Sequence, residues 1–165
     1  MPKLDAEANV TSSLLDRLID AELNLALDQP VTRSQSVRQL KASLRHDLEW
    51  LLNTRRTPVE APDSLAELQQ SLYHYGLPDM SVFSSNSTRD QSRLIWLLES
   101  AIATFEPRLE AVNVSMEPVS PGSRILKFQI EGMLRMDPAP ERISFDTVLE
   151  LTSGAYQVKG DAGTR

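Results

Sequence analysis

Two stretches, Arg124–Met136 (RILKFQIEGMLRM) and Arg142–Thr152 (RISFDTVLELT), decide the fold. In the first, Leu126, Phe128, Ile130, Leu134 and Met136 share one face, and Lys127, Gln129, Glu131 and Arg135 share the other. In the second, Ile143, Phe145, Thr147, Leu149 and Leu151 oppose Arg142, Ser144, Asp146 and Glu150. A period of two marks half-buried strands of an antiparallel sheet. Val112, Val114 and Met116 predict an earlier strand, and Tyr156 and Val158 a short last one. The linkers EPVSPGS, DPAPE and TSG are turn chemistry.

Upstream of Pro107 the period is helical. Val37, Leu40, Leu44, Leu48 and Leu51 recur at three and four, predicting a helix over about 33–54 that opens on a Thr32/Gln35 capping box. Ser64/Glu67 and Thr88/Gln91 repeat that signature. They predict a short helix carrying Leu65, Leu68 and Leu72, and a longer one with Leu94, Leu98, Ala101, Ile102 and Phe105 inward. Gly76 suits a left-handed position after the short helix, and Pro78 prevents its resumption. Near the N-terminus, Leu14, Leu15, Leu18 and Ile19 predict a further helix, with Ser13 and Asp16 at its start and Gln29-Pro30 at its end. Residues 1–10 are polar and aperiodic, the pattern of a disordered tail. The expected architecture is α+β: one domain over 11–160, with helices packed on one face of a small, three- to four-stranded, mainly antiparallel sheet.

Composition narrows the function. The 165 residues are 41% hydrophobic and 24% charged, the balance of a globular protein, and 23 acids against 17 bases give a net charge of −6. That charge argues against a nucleic-acid partner. With no cysteine there is no disulfide framework, thiolate metal site or thiol nucleophile. No apolar run approaches the roughly 20 residues of a membrane span, and MPKLDAEANVTSS has no signal-peptide core. The expectation is a cytoplasmic chain with no direct membrane insertion. No phosphate loop, dinucleotide fingerprint or metal-ligand spacing is present, so no cofactor and no catalytic residue is assigned. His46 and Asp47 are adjacent on a helix and point about 100° apart, which is no catalytic relay. His46 reads as a surface histidine and His74 as packing or helix-end capping. Glycoside hydrolysis needs only two carboxylates, a requirement the composition neither favours nor excludes, though 5% aromatic residues suit a sugar-stacking cleft poorly.

Two features stand out as protein-binding candidates. Between Pro30 and Arg56, six bases (Arg33, Arg38, Lys41, Arg45, Arg55, Arg56) against two acids give +4, leaving −10 for the rest. This is either a solvated helix face or a basic docking surface on an acidic body. The second is Glu106-Pro107-Arg108. Pro107 forces Glu106 into an extended conformation, so residues 106 and 108 project to one side at a helix-to-strand junction. Either they pair with each other or they meet charges on a partner.

LRHDLEWLLNTRR (44–56), HYGLPDMS (74–81) and FEPRLEAVNV (105–114), with SLLDRL near the start, resemble the TssE family of type VI secretion baseplate subunits. That family is part of the contractile-phage baseplate wedge proteins, whose older label is "lysozyme-like". The resemblance spans roughly 12–158 and implies a non-enzymatic assembly role. Its members sit in a cytoplasmic baseplate docked at the inner-membrane complex, beside TssF, TssG and TssK, and offer the platform on which the TssB–TssC sheath polymerises. It also implies that Glu106, Pro107 and Arg108 contact neighbouring wedge proteins. The older label keeps a glycan hydrolase as the alternative. An open sheet adds a further expectation, because its edges can accept a strand by β-augmentation.

Overall fold

The structure, a computed structural model, describes residues 33–62, 64–79, 83–84, 87–120 and 123–161. The expected tail over 1–10, the helix around Leu14–Ile19 with its start and stop, and Thr32 of the first capping box lie outside the described residues.

Four strands follow two long helices: α1 (Arg33–Asn53), a single turn α2 (Ala66–Gln69), a 3₁₀ turn (Leu72–His74), α3 (Thr88–Phe105), β1 (Leu109–Met116), β2 (Ile125–Leu134), β3 (Glu141–Glu150) and β4 (Ala155–Asp161). The sheet order is β1-β2-β3-β4, antiparallel throughout. The period-two reading holds in detail. Leu126, Phe128, Ile130, Gly132, Leu134, Ile143, Phe145, Thr147 and Leu149 are all buried, and the residues alternating with them are half-buried or exposed. α1 lies against β4, α3 lies against β1, and the helices touch. Their stripes, Leu40, Leu44, Leu48 and Leu51 with Leu94, Leu98 and Ile102, merge with the sheet's apolar face into one core.

Gly132 stands in the middle of that face for a steric reason. A Cβ there would lie 2.8 Å from both Cγ and Cδ1 of Leu109 across the β1–β2 pair. Leu109 starts β1 three residues before the expected strand residues. The strand then bulges, with Ala111 at φ 51° and a register shift between Glu110 and Asn113.

Three expectations need correction. Ser64 and Glu67 form no capping box: α2 is four residues long, its N-cap is Leu65, and no side chain caps it. So short a segment, between Pro62 and Gly76, cannot offset the cost of helix nucleation by packing. Accordingly Leu65 is exposed and Leu72 is 84% exposed. The cap of α3 is Ser87, not Thr88. Ser87 Oγ accepts the Asp90 N–H at 3.3 Å, while Asp90 Oδ2 accepts the N–H of Ser84, not that of the cap, at 3.2 Å, so the cap sits one residue earlier without the reciprocal bond of a capping box. Gly76 has the expected positive φ, 99°, but follows the 3₁₀ turn, and a Cβ there would lie 2.3 Å from Thr54 O.

Candidate protein-binding site

The Glu106-Pro107-Arg108 junction is built where α3 ends. The Glu106 N–H donates to Ile102 O at 2.8 Å, closing the last turn, and Pro107 then turns the chain into β1. The expected extended conformation is not adopted: Glu106 has φ −123° and ψ 76°, and the Leu109 N–H donates to Glu106 O at 3.1 Å, so a turn over 106–109 brings the two side chains onto each other. Arg108 Nε donates to Glu106 Oε1 at 2.6 Å and Nη2 to Oε2 at 2.6 Å, a bidentate fork. Glu106 is only 5% exposed. The carboxylate therefore faces the domain's interior, although it opposes the helix dipole.

Sequence reasoning missed the third member. Asp47 of α1 accepts a short hydrogen bond from Arg108 Nη2, and Ser43 Oγ accepts from Nη1 at 3.4 Å. One cation thus sits between two carboxylates, leaving the cluster one negative charge, with Asp47 the more accessible acid. The Glu106 hydrogen bond, ahead of the other contributions, raises the guanidinium's pKa further above its ordinary value. Tyr75 packs edge-on to Phe105 at 5.2 Å. Burial first, and then Asp47 and Glu106, push its phenol upward. Ser43 and Asp47 stand one turn apart, so their shared face was legible; their partner across the fold was not.

The basic residues do not form one surface. Arg38 and Arg45 are exposed on α1, but Lys41 turns toward the sheet and bonds Glu141 Oε1 at 2.8 Å. Arg33 Nη2 donates to Asp137 O at 3.2 Å. Arg55 lies in a bridge with Leu77, beside Asp79 at 3.8 Å, and Arg56 is half-buried. His46 is a surface residue, as expected, 5.6 Å from the ring of Trp50. His74 Nε2 accepts the Ala61 N–H at 3.4 Å, which ties the 61–74 segment to itself. Trp50 and Trp96, 65% and 63% exposed, are large apolar surfaces that the sequence reading did not single out. Their offset from the leucine stripes was the available signal.

Each outer strand is touched by a helix side chain. Glu99 Oε1 of α3 accepts the Val114 N–H of β1 at 2.9 Å. Asn53, the last residue of α1, accepts the Tyr156 N–H of β4 at 2.8 Å and donates to Tyr156 O at 2.9 Å.

Among the described residues no group of three or more His, Cys, Asp or Glu could hold a metal, and no helix is long and apolar enough to cross a membrane. Residues 38–139 match the family described as baseplate wedge protein gp25. Among solved structures, a chain of the baseplate complex from the type VI secretion system is similar at 19% identity. The match covers 67% of this chain and 94% of that chain, at a TM-score of 0.48. No curated protein matches.

Proposed function

This chain belongs to the baseplate wedge protein gp25 family, and from that premise we propose that it is a non-enzymatic wedge subunit of a type VI secretion baseplate. In this reading it is a single domain over 11–160 that works in the cytoplasm at the inner-membrane complex. It joins TssF, TssG and TssK and offers the TssB–TssC sheath its first platform. The observation that carries the reading is the extent of the family match. Residues 38–139 include Glu106, Pro107, Arg108 and all of the candidate basic residues except Arg33.

The geometry supports a division of labour. Glu106 braces the junction from inside, while exposed Pro107 and half-buried Arg108, with Asp47 beside them, form the surface that meets a neighbour. Arg38 and Arg45 offer a separate basic strip, and Arg55 and Arg56 a third contact after α1. The sheath would begin on an outer strand of the sheet, where main-chain pairing supplies affinity.

Co-purification of the tagged chain from its native host tests the assignment. Recovery with TssF, TssG and TssK is expected; recovery without any baseplate subunit would overturn it. A peptidoglycan turbidity assay should show no lysis.

A further inference from the structure

The sheet's two outer edges are closed by the same pair of devices. β1 has a bulge at Ala111 and a helix side chain, Glu99, on its outward N–H. β4 has a register shift opposite Phe145–Thr147 and a helix side chain, Asn53, on Tyr156. Bulges and covering side chains are how edge strands avoid unwanted pairing. Neither edge is therefore a ready template in the free chain.

The two closures differ in kind. Glu99 is half-buried in mid-α3 and takes one N–H. Asn53 is exposed at the end of α1 and takes both the N–H and the C=O of one residue, as a residue of a fifth antiparallel strand would. Its Nδ2 also donates to Glu49 O at 2.8 Å, so the side chain is held by its own helix. Being neutral and exposed, it can swing into water without stranding a buried charge. A cleft of about 110 Å³, lined by Asn53, Arg55, Asp79 and Tyr156 among others, lies beside it.

We propose that Asn53 is a releasable latch on the β4 edge: engaged, it keeps the lone subunit from accepting a strand; withdrawn, it opens Tyr156 and Val158 to an extended segment of a sheath subunit. The proposal rests on the reading that the sheath begins on this sheet. Strand alternation turns the main-chain groups of Val158 to the same side as those of Tyr156. The added segment would set an apolar side chain beside buried Val158. It would set an acid near Lys159, which is exposed. Arg55 and Arg56 follow Asn53 by two and three residues, so a wedge neighbour that grips them moves the latch. Sheath growth is thereby made to wait for wedge assembly.

The test uses the full chain with Asn53→Ala and Asn53→Asp. Amide exchange is read at Tyr156, and capture of purified TssB–TssC is read with the chain alone and with the complete wedge. Loss of the latch should speed Tyr156 exchange about tenfold, the factor expected for one hydrogen bond. It should also let the lone chain capture the sheath pair, which wild type does only within the wedge. Asn53→Asp, which still accepts the N–H but cannot donate to the carbonyl, should fall between, and it decides alone if Asn53→Ala does not fold. Unchanged exchange overturns the latch. Faster exchange without capture by the lone variant, while the wedge still captures, overturns the latch and leaves the sheath reading standing. No capture in any form overturns both.

Discussion

Arg108 holds both oxygens of the buried Glu106 carboxylate and, with the same guanidinium, reaches Asp47 on α1. The junction between α3 and β1 is thus pinned to a second helix. Removing Glu106 as Glu106→Ala would strand Arg108 beside Asp47 and should cost about 2–4 kcal/mol by thermal unfolding. The charge swap of Glu106→Arg with Arg108→Glu should not restore stability, because Asp47 would then face a carboxylate. Adding Asp47→Asn should recover part of the loss. A swap as stable as wild type would show that Asp47 contributes nothing.

Lys41 and Arg38 should separate cleanly. Lys41→Glu replaces an attraction to Glu141 with a repulsion across the α1–β3 contact, at about 1 kcal/mol because the pair is only partly buried. Arg38→Glu, on the exposed side of the same helix, should leave the midpoint unchanged and weaken association with an acidic partner. Equal thermal midpoints for the two variants would contradict the assigned geometry.

Thr147 is buried, and its hydroxyl has no hydrogen-bond partner among the described residues. Thr147→Val keeps the shape and removes that unpaired group, so stability should rise by about 1 kcal/mol in a denaturant titration. A loss instead would mean that the hydroxyl is satisfied.

The Tyr156 phenol is also buried and without a hydrogen-bond partner among the described residues, and burial pushes its pKa well above the usual value near 10. The unfolded chain therefore loses this proton first. Stability is fully present below about pH 10 and falls as pH rises beyond it, by up to about 1.4 kcal/mol per unit. Tyr75, shifted the same way, adds a smaller contribution. Tyr156→Phe should flatten most of this alkaline fall while leaving neutral stability equal or slightly higher. A fall as steep as that of wild type would assign it to other groups.

Gly132→Ala should cost about 1–3 kcal/mol, since the new methyl group meets Leu109 at its branch point. Combining it with Leu109→Ala should make the pair less damaging than the sum of the singles. Strict additivity would remove the steric account.

The sequence by itself determined the elements and their faces. Strand alternation over 126–134 and 143–149, and the leucine stripes of α1 and α3, depend on side-chain direction along one element, which is a local property. The same locality explains the failures near it. Ser64 and Thr88 each offered a capping signature, and only the packing beyond decided which helix formed and where it began. Glu106 and Arg108 were legible as a pair because they flank Pro107 where α3 must end, but a turn closed by the Leu109 N–H on Glu106 O, and not extended chain, brings them together. Tertiary structure alone decided that they face inward to Asp47, 61 residues away, and that Asn53 meets Tyr156 across 103 residues. It also decided that β1 and β4 are the outer strands. No periodicity encodes such contacts, because they depend on how completed elements dock, and docking is set by the whole core at once.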